Sequence, residues 1–448
     1  MPPTENKGAT MVKSRLSKQA VHVLVVALLV TLLWEPGPAV ADETCQSPFL
    51  PKVTGQEDYI YVWTLGIKGV GDGNDSIVTV DANPKSAGYG KIVHRAPVSG
   101  QHEAHHAGFT DDRRFLWAGG LDDSQIFVFD VASDPARPKL VKTISTFVKD
   151  TGGLVGPHTF YALPGRMLIS ALSNAQDGSG RTGLAEYSND GKFIRTIWMP
   201  KEAPYGYDVR VNANLNRMLT SSFAGKKNYM RPFGELVKDG EAMKQFGDSV
   251  IVWDFHARKP LQILRVPGAP LELRWALLPN HNYAFTATAL TGQLVLIYQQ
   301  EDGTWATKNI AEIGANIPVD ISIAPDDSKI YVNSFGDGTL RVYDVSKPFE
   351  GKLVESVKLG EMANMVSSSW DGKRLYATNS LLSKWDKPGD YWLKAYAWED
   401  GKLVAKFTTD FNAVGRAHIM NFGSKAFGPR AARGAAANPR VSAYAAPR

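Results

Sequence analysis

Ser249-Val250-Ile251-Val252-Trp253-Asp254 is a short apolar run that ends on an acid; it is one of seven short apolar runs in the chain, four of which end so. The others are Ser76-Ile77-Val78-Thr79-Val80-Asp81, Gln125-Ile126-Phe127-Val128-Phe129-Asp130 and Gly183-Leu184-Ala185-Glu186-Tyr187, then Leu294-Val295-Leu296-Ile297-Tyr298, Leu340-Arg341-Val342-Tyr343-Asp344 and Leu393-Lys394-Ala395-Tyr396-Ala397-Trp398. β-Branched and aromatic residues over five or six positions, bounded by Gly and Asp turns, read as strands. Successive copies lie 49, 58, 66, 44, 46 and 53 residues apart, against roughly 40–50 for a propeller blade. The longer intervals leave room for insertions between strands. No stretch carries a long helical period.

A second recurrence precedes the first. A polar residue stands nine to eleven positions before a further apolar strand: His106 before Phe115, His158 before Met167, Asp208 before Met218, Glu272 before Tyr283, Asp320 before Ile330 and Asn364 before Leu375. This is how the innermost strand of a blade, then its second strand, should read. The seventh such residue is His418, in Ala417-His418-Ile419-Met420, and no outer strands follow it. Its partners must come from the other end of the domain, starting with Tyr59-Ile60-Tyr61-Val62-Trp63 and continuing to Ile77 and Ile92. The expectation is an all-β fold, a seven-bladed β-propeller closed by pairing of N- and C-terminal strands, which protects the sheet edges. Two β-sandwich domains would explain the repeat count poorly.

Residues 1–41 read as a signal peptide, with Met11 as a possible start. Lys13, Arg15 and Lys18 precede a largely apolar run from Val21 to Trp34, too short for a spanning helix, and Ala39-Val40-Ala41 supplies a small-residue cleavage pattern. No stable membrane insertion is expected after cleavage. The propeller is assigned to 42–427. Residues 428–448, rich in Ala, Pro and Arg with no acid, are expected to be a disordered tail. The single Cys, Cys45, excludes a disulfide framework and a Cys-based zinc site. The formal net charge of +5 belongs to the ends: the propeller segment itself holds 42 basic and 43 acidic residues. A near-neutral fold argues against a nucleic-acid partner.

The closed ring places His418, His106 and His158 on adjacent inner strands, facing one sector of the central channel, with His105 beside them and Glu103 just upstream. Imidazole suits copper, zinc, iron and nickel. Regular strand geometry would send His105 and His106 to opposite faces. Asp208, Glu272 and Asp320 occupy the corresponding positions of other blades. They read as a general base, as an oxygen-ligand cation site, or as groups bonded to backbone amides and to Arg210 and Arg274. Lys384-Trp385-Asp386-Lys387-Pro388 is a polar aromatic loop suited to the channel mouth.

With these residues in hand, the chain resembles the methanethiol oxidase and selenium-binding protein family, in its secreted bacterial branch. The resemblance rests on Glu103-Ala104-His105-His106-Ala107-Gly108, Gly206-Tyr207-Asp208, Pro270-Leu271-Glu272-Leu273-Arg274-Trp275, Ser383-Lys384-Trp385-Asp386-Lys387 and Ala417-His418, in that order. It implies a periplasmic, copper-dependent enzyme acting on a small thiol substrate and O2. The products would be formaldehyde, hydrogen sulfide and hydrogen peroxide. The copper ligands would fall on His105, His106, His158 and His418, and Glu103 or Asp320 would relay protons. Eukaryotic members carry a cysteine within the segment matching Lys85–Val93; Gly88-Tyr89-Gly90-Lys91 has none, so selenium binding by that route is not expected. The competing readings are a non-enzymatic metal- or partner-binding periplasmic propeller, and a calcium-dependent hydrolase of the lactonase kind that uses the channel carboxylates.

Overall fold

The computed structural model describes residues 47–428, apart from 52, 54 and 315. The signal segment, Cys45 and the tail beyond Gly428 lie outside the described residues. The strands form seven four-stranded antiparallel sheets, one per blade. In blade 1 the order is Arg416–Gly423, Tyr59–Leu65, Ser76–Asp81, Ile92–Pro97, so the last strand of the chain is the innermost strand of the first blade. Its register pairs Tyr59 with Gly423 and Val62 with Met420. The innermost strands of blades 2 to 7 are Ala104–Phe109, Leu154–Leu163, Val209–Asn212, Pro270–Trp275, Pro318–Ile323 and Ala363–Ser368.

The seven runs legible in the sequence all occupy the third place in their blades. Those strands are sandwiched between neighbouring blades and are apolar for that reason: Ser76–Asp81 and Ser249–Asp254 are buried except at the closing Asp. The closing Asp caps the next turn, as where Asp130 accepts from the amides of Ala132 and Ser133. Fourth strands face solvent and lose the pattern; Lys139–Ile144 is exposed over five of six residues. Trp63 shows how blades lock together, its indole N–H donating to the Gly119 carbonyl of blade 2 at 2.9 Å.

One irregularity recurs and sets up the site. Between Ala104 and Ala107 the inner strand of blade 2 carries one more residue than its partner, where Gly120 and Ala118 lie opposite. The same extra residue appears around His158 in blade 3, Glu272 in blade 5, Asn364 in blade 7 and His418 in blade 1, and beside Asp320 in blade 6. Such a bulge re-aims side chains that regular pleating would alternate. The expectation that His105 and His106 point to opposite faces is therefore corrected: neither lies in regular strand. Several of these strands are also entered through a left-handed residue: Glu103 (φ 61°), Ala269 (58°), Ile317 (53°) and Met362 (59°). Each costs on the order of 1 kcal/mol at a non-glycine residue and is held there by the closed ring.

Candidate metal centre

The bulges bring four imidazoles into contact. The ring of His106 lies 3.9 Å from that of His158, and the ring of His105 lies 4.0 Å from that of His418. His105 and His106 are 5.0 Å apart centre to centre. All four are buried, at 3 % exposure or less. His105, His106 and His158 each offer a nitrogen within 4.8 Å of the others, the one such grouping of possible metal ligands among the described residues. His418 completes the cluster from the closing strand.

Burial holds the four rings neutral. Desolvation, reinforced by neighbouring rings, depresses the pKa values of His105 and His106 well below the ordinary imidazole value; desolvation takes His158 and His418 to about 3. Nδ1 of His158 sits 3.2 Å from Thr159 Oγ1, which leaves its Nε2 to face the cluster. His158 Nε2, His418 Nε2 and His105 Nδ1 are buried without a hydrogen-bond partner. A buried polar atom left unpartnered costs about 1–3 kcal/mol. Several converging neutral nitrogens are instead a ligand set for an imidazole-preferring transition metal. The residues present fit such an ion.

Next to this cluster lies a belt of charge. Asp208 accepts from Arg210 Nε at 2.8 Å and from the Leu273 amide at 2.9 Å. Arg210 Nη2 reaches Glu272 Oε2 at 2.9 Å, and Arg274 spans Glu272 and Asp320 at 3.0 Å each. The second oxygen of Asp320 accepts from the Val366 amide at 2.7 Å. Three carboxylates are thus interleaved with two guanidinium groups, the ion-paired arrangement among the readings open to them. Glu272 Oε1 reaches toward the imidazoles and stands 3.8 Å from His106 Nε2.

Glu103 is buried two residues before His105. Its carboxylate accepts from the amide and the hydroxyl of Ser383, and burial pushes its pKa up to about 7. Ser383 belongs to the loop that carries Trp385. That loop meets a feature with no helical period in the sequence: three single-turn helices, Lys226–Tyr229, Phe233–Leu236 and Gly240–Met243, inserted between the second and third strands of blade 4. Only the 66-residue interval between Leu184 and Val250 signalled it. Together they cap an apolar cavity of about 30 Å3, with His105 on its wall and Tyr207, Phe223, Phe246 and Trp385 among its other sides. The ring of Tyr207 packs 4.1 Å from that of His158.

This arrangement can be set beside known proteins. The model of the 56 kDa selenium-binding protein family matches residues 39–434. The chain belongs to that family. Within it, the chain is 55 % identical over 398 residues to a methanethiol oxidase of a Hyphomicrobium species, covering 86 % of this chain and 91 % of that one. It is 51 % identical over 414 residues to the methanethiol oxidase of Ruegeria pomeroyi, covering 87 % and 95 %. Among solved structures, a hypothetical selenium-binding protein from Sulfolobus tokodaii superposes with a TM-score of 0.76 at 26 % identity, over 85 % of this chain and 98 % of that one. The family match at residues 39–434 spans the double-histidine bulge, the charged belt and the capping loop.

Proposed function

We propose that the chain is a copper-dependent methanethiol oxidase, exported to the periplasm by its N-terminal signal segment. The observation that carries this reading is the buried cluster of neutral, partly unpartnered imidazoles against a small apolar cavity. Its relatives of more than 50 % identity bear that name. The reaction consumes one methanethiol, one O2 and one water and yields formaldehyde, hydrogen sulfide and hydrogen peroxide. Carbon loses two electrons as its bond to sulfur and one C–H bond are replaced by a C=O double bond, and dioxygen gains two.

His105, His106, His158 and His418 would hold the copper through ring nitrogens that burial keeps deprotonated. When bound, copper supplies one-electron chemistry toward dioxygen and an affinity for sulfur. The chain supplies the rest. Apolar walls desolvate the substrate and exclude bulk water. Glu103, whose pKa of about 7 lets it take or give a proton at neutral pH, serves as the proton relay. Asp320, expected to share that task, has its oxygens engaged by Arg274 and Val366. We assign it to holding the belt.

The test is metal analysis of the purified mature chain together with a methanethiol-dependent assay for peroxide and formaldehyde. Stoichiometric copper and turnover, both lost in His106→Ala, are expected. Full activity in that variant would overturn the reading. Abundant calcium without copper would favour a hydrolase, and no tightly bound metal a non-enzymatic propeller.

A further inference from the structure

We propose that the cavity beside His105 selects substrate by alkyl length, and that the blade 4 insertion and the 380–390 loop supply the aromatic walls that set this length. The inference rests on the thiol-oxidising reading for the identity of the substrate, but not for the existence of the filter.

Part of the cavity lining comes from blade strands, through Leu172, Leu271 and Val319, and its aromatic cover comes from the two inserted segments. Phe223, Tyr229, Leu381, Leu382 and Trp385 share one hydrophobic cluster with those strand residues, and Phe233 and Phe246 pack against it. The two segments are tied to each other. The amide of Phe233 donates to the Lys384 carbonyl at 3.4 Å, and the rings of Phe233 and Trp385 lie 4.9 Å apart. Phe223 bridges them, 5.3 Å from Phe246 and 6.2 Å from Trp385. Phe233 and Phe246 are only half-buried, so one edge of each ring meets solvent while the other lines the cavity.

The cavity measures about 30 Å3, room for roughly two water-sized groups. The methyl and the sulfur of methanethiol count as two such groups. A longer chain must find its room by moving wall side chains, and the packed cluster resists that displacement. An apolar pocket discriminates about 10-fold or more per methylene, and here the discrimination falls on longer chains. The imidazoles and the belt lie on rigid inner strands, so cavity length can be changed without touching them.

The experiment compares wild type with Phe246→Ala and, as a gentler variant that preserves the fold, Phe246→Leu. One measurement is kcat/KM for methanethiol, ethanethiol, 1-propanethiol and 1-butanethiol on the copper-loaded enzymes. The other is the rise in Tm that the same thiols produce in chelator-treated, copper-free protein. Wild type should favour methanethiol, and the 1-propanethiol to methanethiol ratio should rise at least about tenfold in Phe246→Ala and by less in Phe246→Leu. The longest thiol that raises Tm should lengthen in parallel. Unchanged ratios and an unchanged Tm series in both variants would overturn the filter. If wild type oxidises no thiol, the functional reading fails, and the copper-free Tm series still decides the filter by itself.

Discussion

Nδ1 of His418 lies 2.8 Å from the carbonyl oxygen of Ser380, in the loop that follows the second strand of blade 7. A carbonyl only accepts, so the imidazole proton sits on Nδ1 and the lone pair on Nε2, which faces the cluster without a partner. Ser380 is fixed in turn: its hydroxyl donates to Asp386 Oδ2 at 2.6 Å, and the Leu381 amide donates to Asp386 Oδ1 at 2.8 Å. The loop that carries Trp385 onto the cavity therefore also sets the tautomer of a proposed ligand on the closing strand.

Asp386 orients His418 through Ser380, and it also stands 3.6 Å from Arg416 of the closing strand. Groups that orient a metal-ligating histidine typically contribute 10–100-fold to metal affinity. Asp386→Ala is expected to weaken copper binding by about that factor, measured by competition with a chelator, while far-UV circular dichroism stays that of wild type. Unchanged affinity would mean that the propeller alone fixes His418.

The acid response of the copper-free protein follows from the depressed imidazoles. His158 titrates near 6.5 when unfolded and at about 3 when folded. Between those values the unfolded chain holds a proton that the folded chain does not, so this group makes stability fall as pH falls from about 6.5 to about 3. One proton corresponds to a slope of about 1.4 kcal/mol per pH unit. Glu103 and Asp208, with pKa values raised by burial to about 7 and about 6, oppose it over part of that range, so a difference between variants isolates the histidine better than the wild-type curve. His158→Gln should flatten the pH dependence of the urea-derived stability between pH 6 and 4 by up to that slope. An identical slope in the variant would show that the ring is protonated in the fold.

How much of this was legible depended on what each strand buries. The third strands lie between blades, so they spell out apolar runs that can be counted, and the count fixed seven blades. The His418 run, with nothing after it, fixed the closure. The inner-strand polar residues stood out because the channel is the one place where a buried strand can afford them. The bulges were not legible, since Ala104-His105-His106-Ala107 looks the same with or without an extra residue opposite Gly119. The helical insertion was missed for another reason. Its helices are four residues each, too short to show a period, and their apolar residues serve the cavity cap rather than a helix face.

Close approach of two inner strands brings His106 within reach of His158, and Gly108 permits it. A Cβ built on Gly108 would meet the Phe160 carbonyl oxygen at 2.0 Å, backbone that cannot step aside. Gly108→Ala should push blade 2 and blade 3 apart at the very height of the two rings. The expected cost is about 1–3 kcal/mol of stability, with weakened copper retention at temperatures where the variant is still folded. Wild-type stability and copper content together would show that the strands have slack.

Glu103 is asked to do two things, and they can be separated. Its carboxylate holds the capping loop through the amide and hydroxyl of Ser383, and it is the proposed proton relay. Ser383→Ala removes one donor from the first task and leaves the carboxyl in place. Glu103→Gln keeps the size and an acceptor oxygen but cannot exchange a proton with substrate or solvent. If Glu103 relays protons, Glu103→Gln should lower kcat by about 100-fold with copper content retained, since a positioned acid or base contributes roughly 10²–10⁴. Ser383→Ala should then cost far less in kcat and show its effect in KM, through a looser cavity cap. If Glu103 only pins the loop, the two variants will resemble each other, with modest losses and the same KM change. Steady-state kinetics across pH 6–8 add a further readout: the wild-type inflection near 7 should disappear in Glu103→Gln and persist in Ser383→Ala.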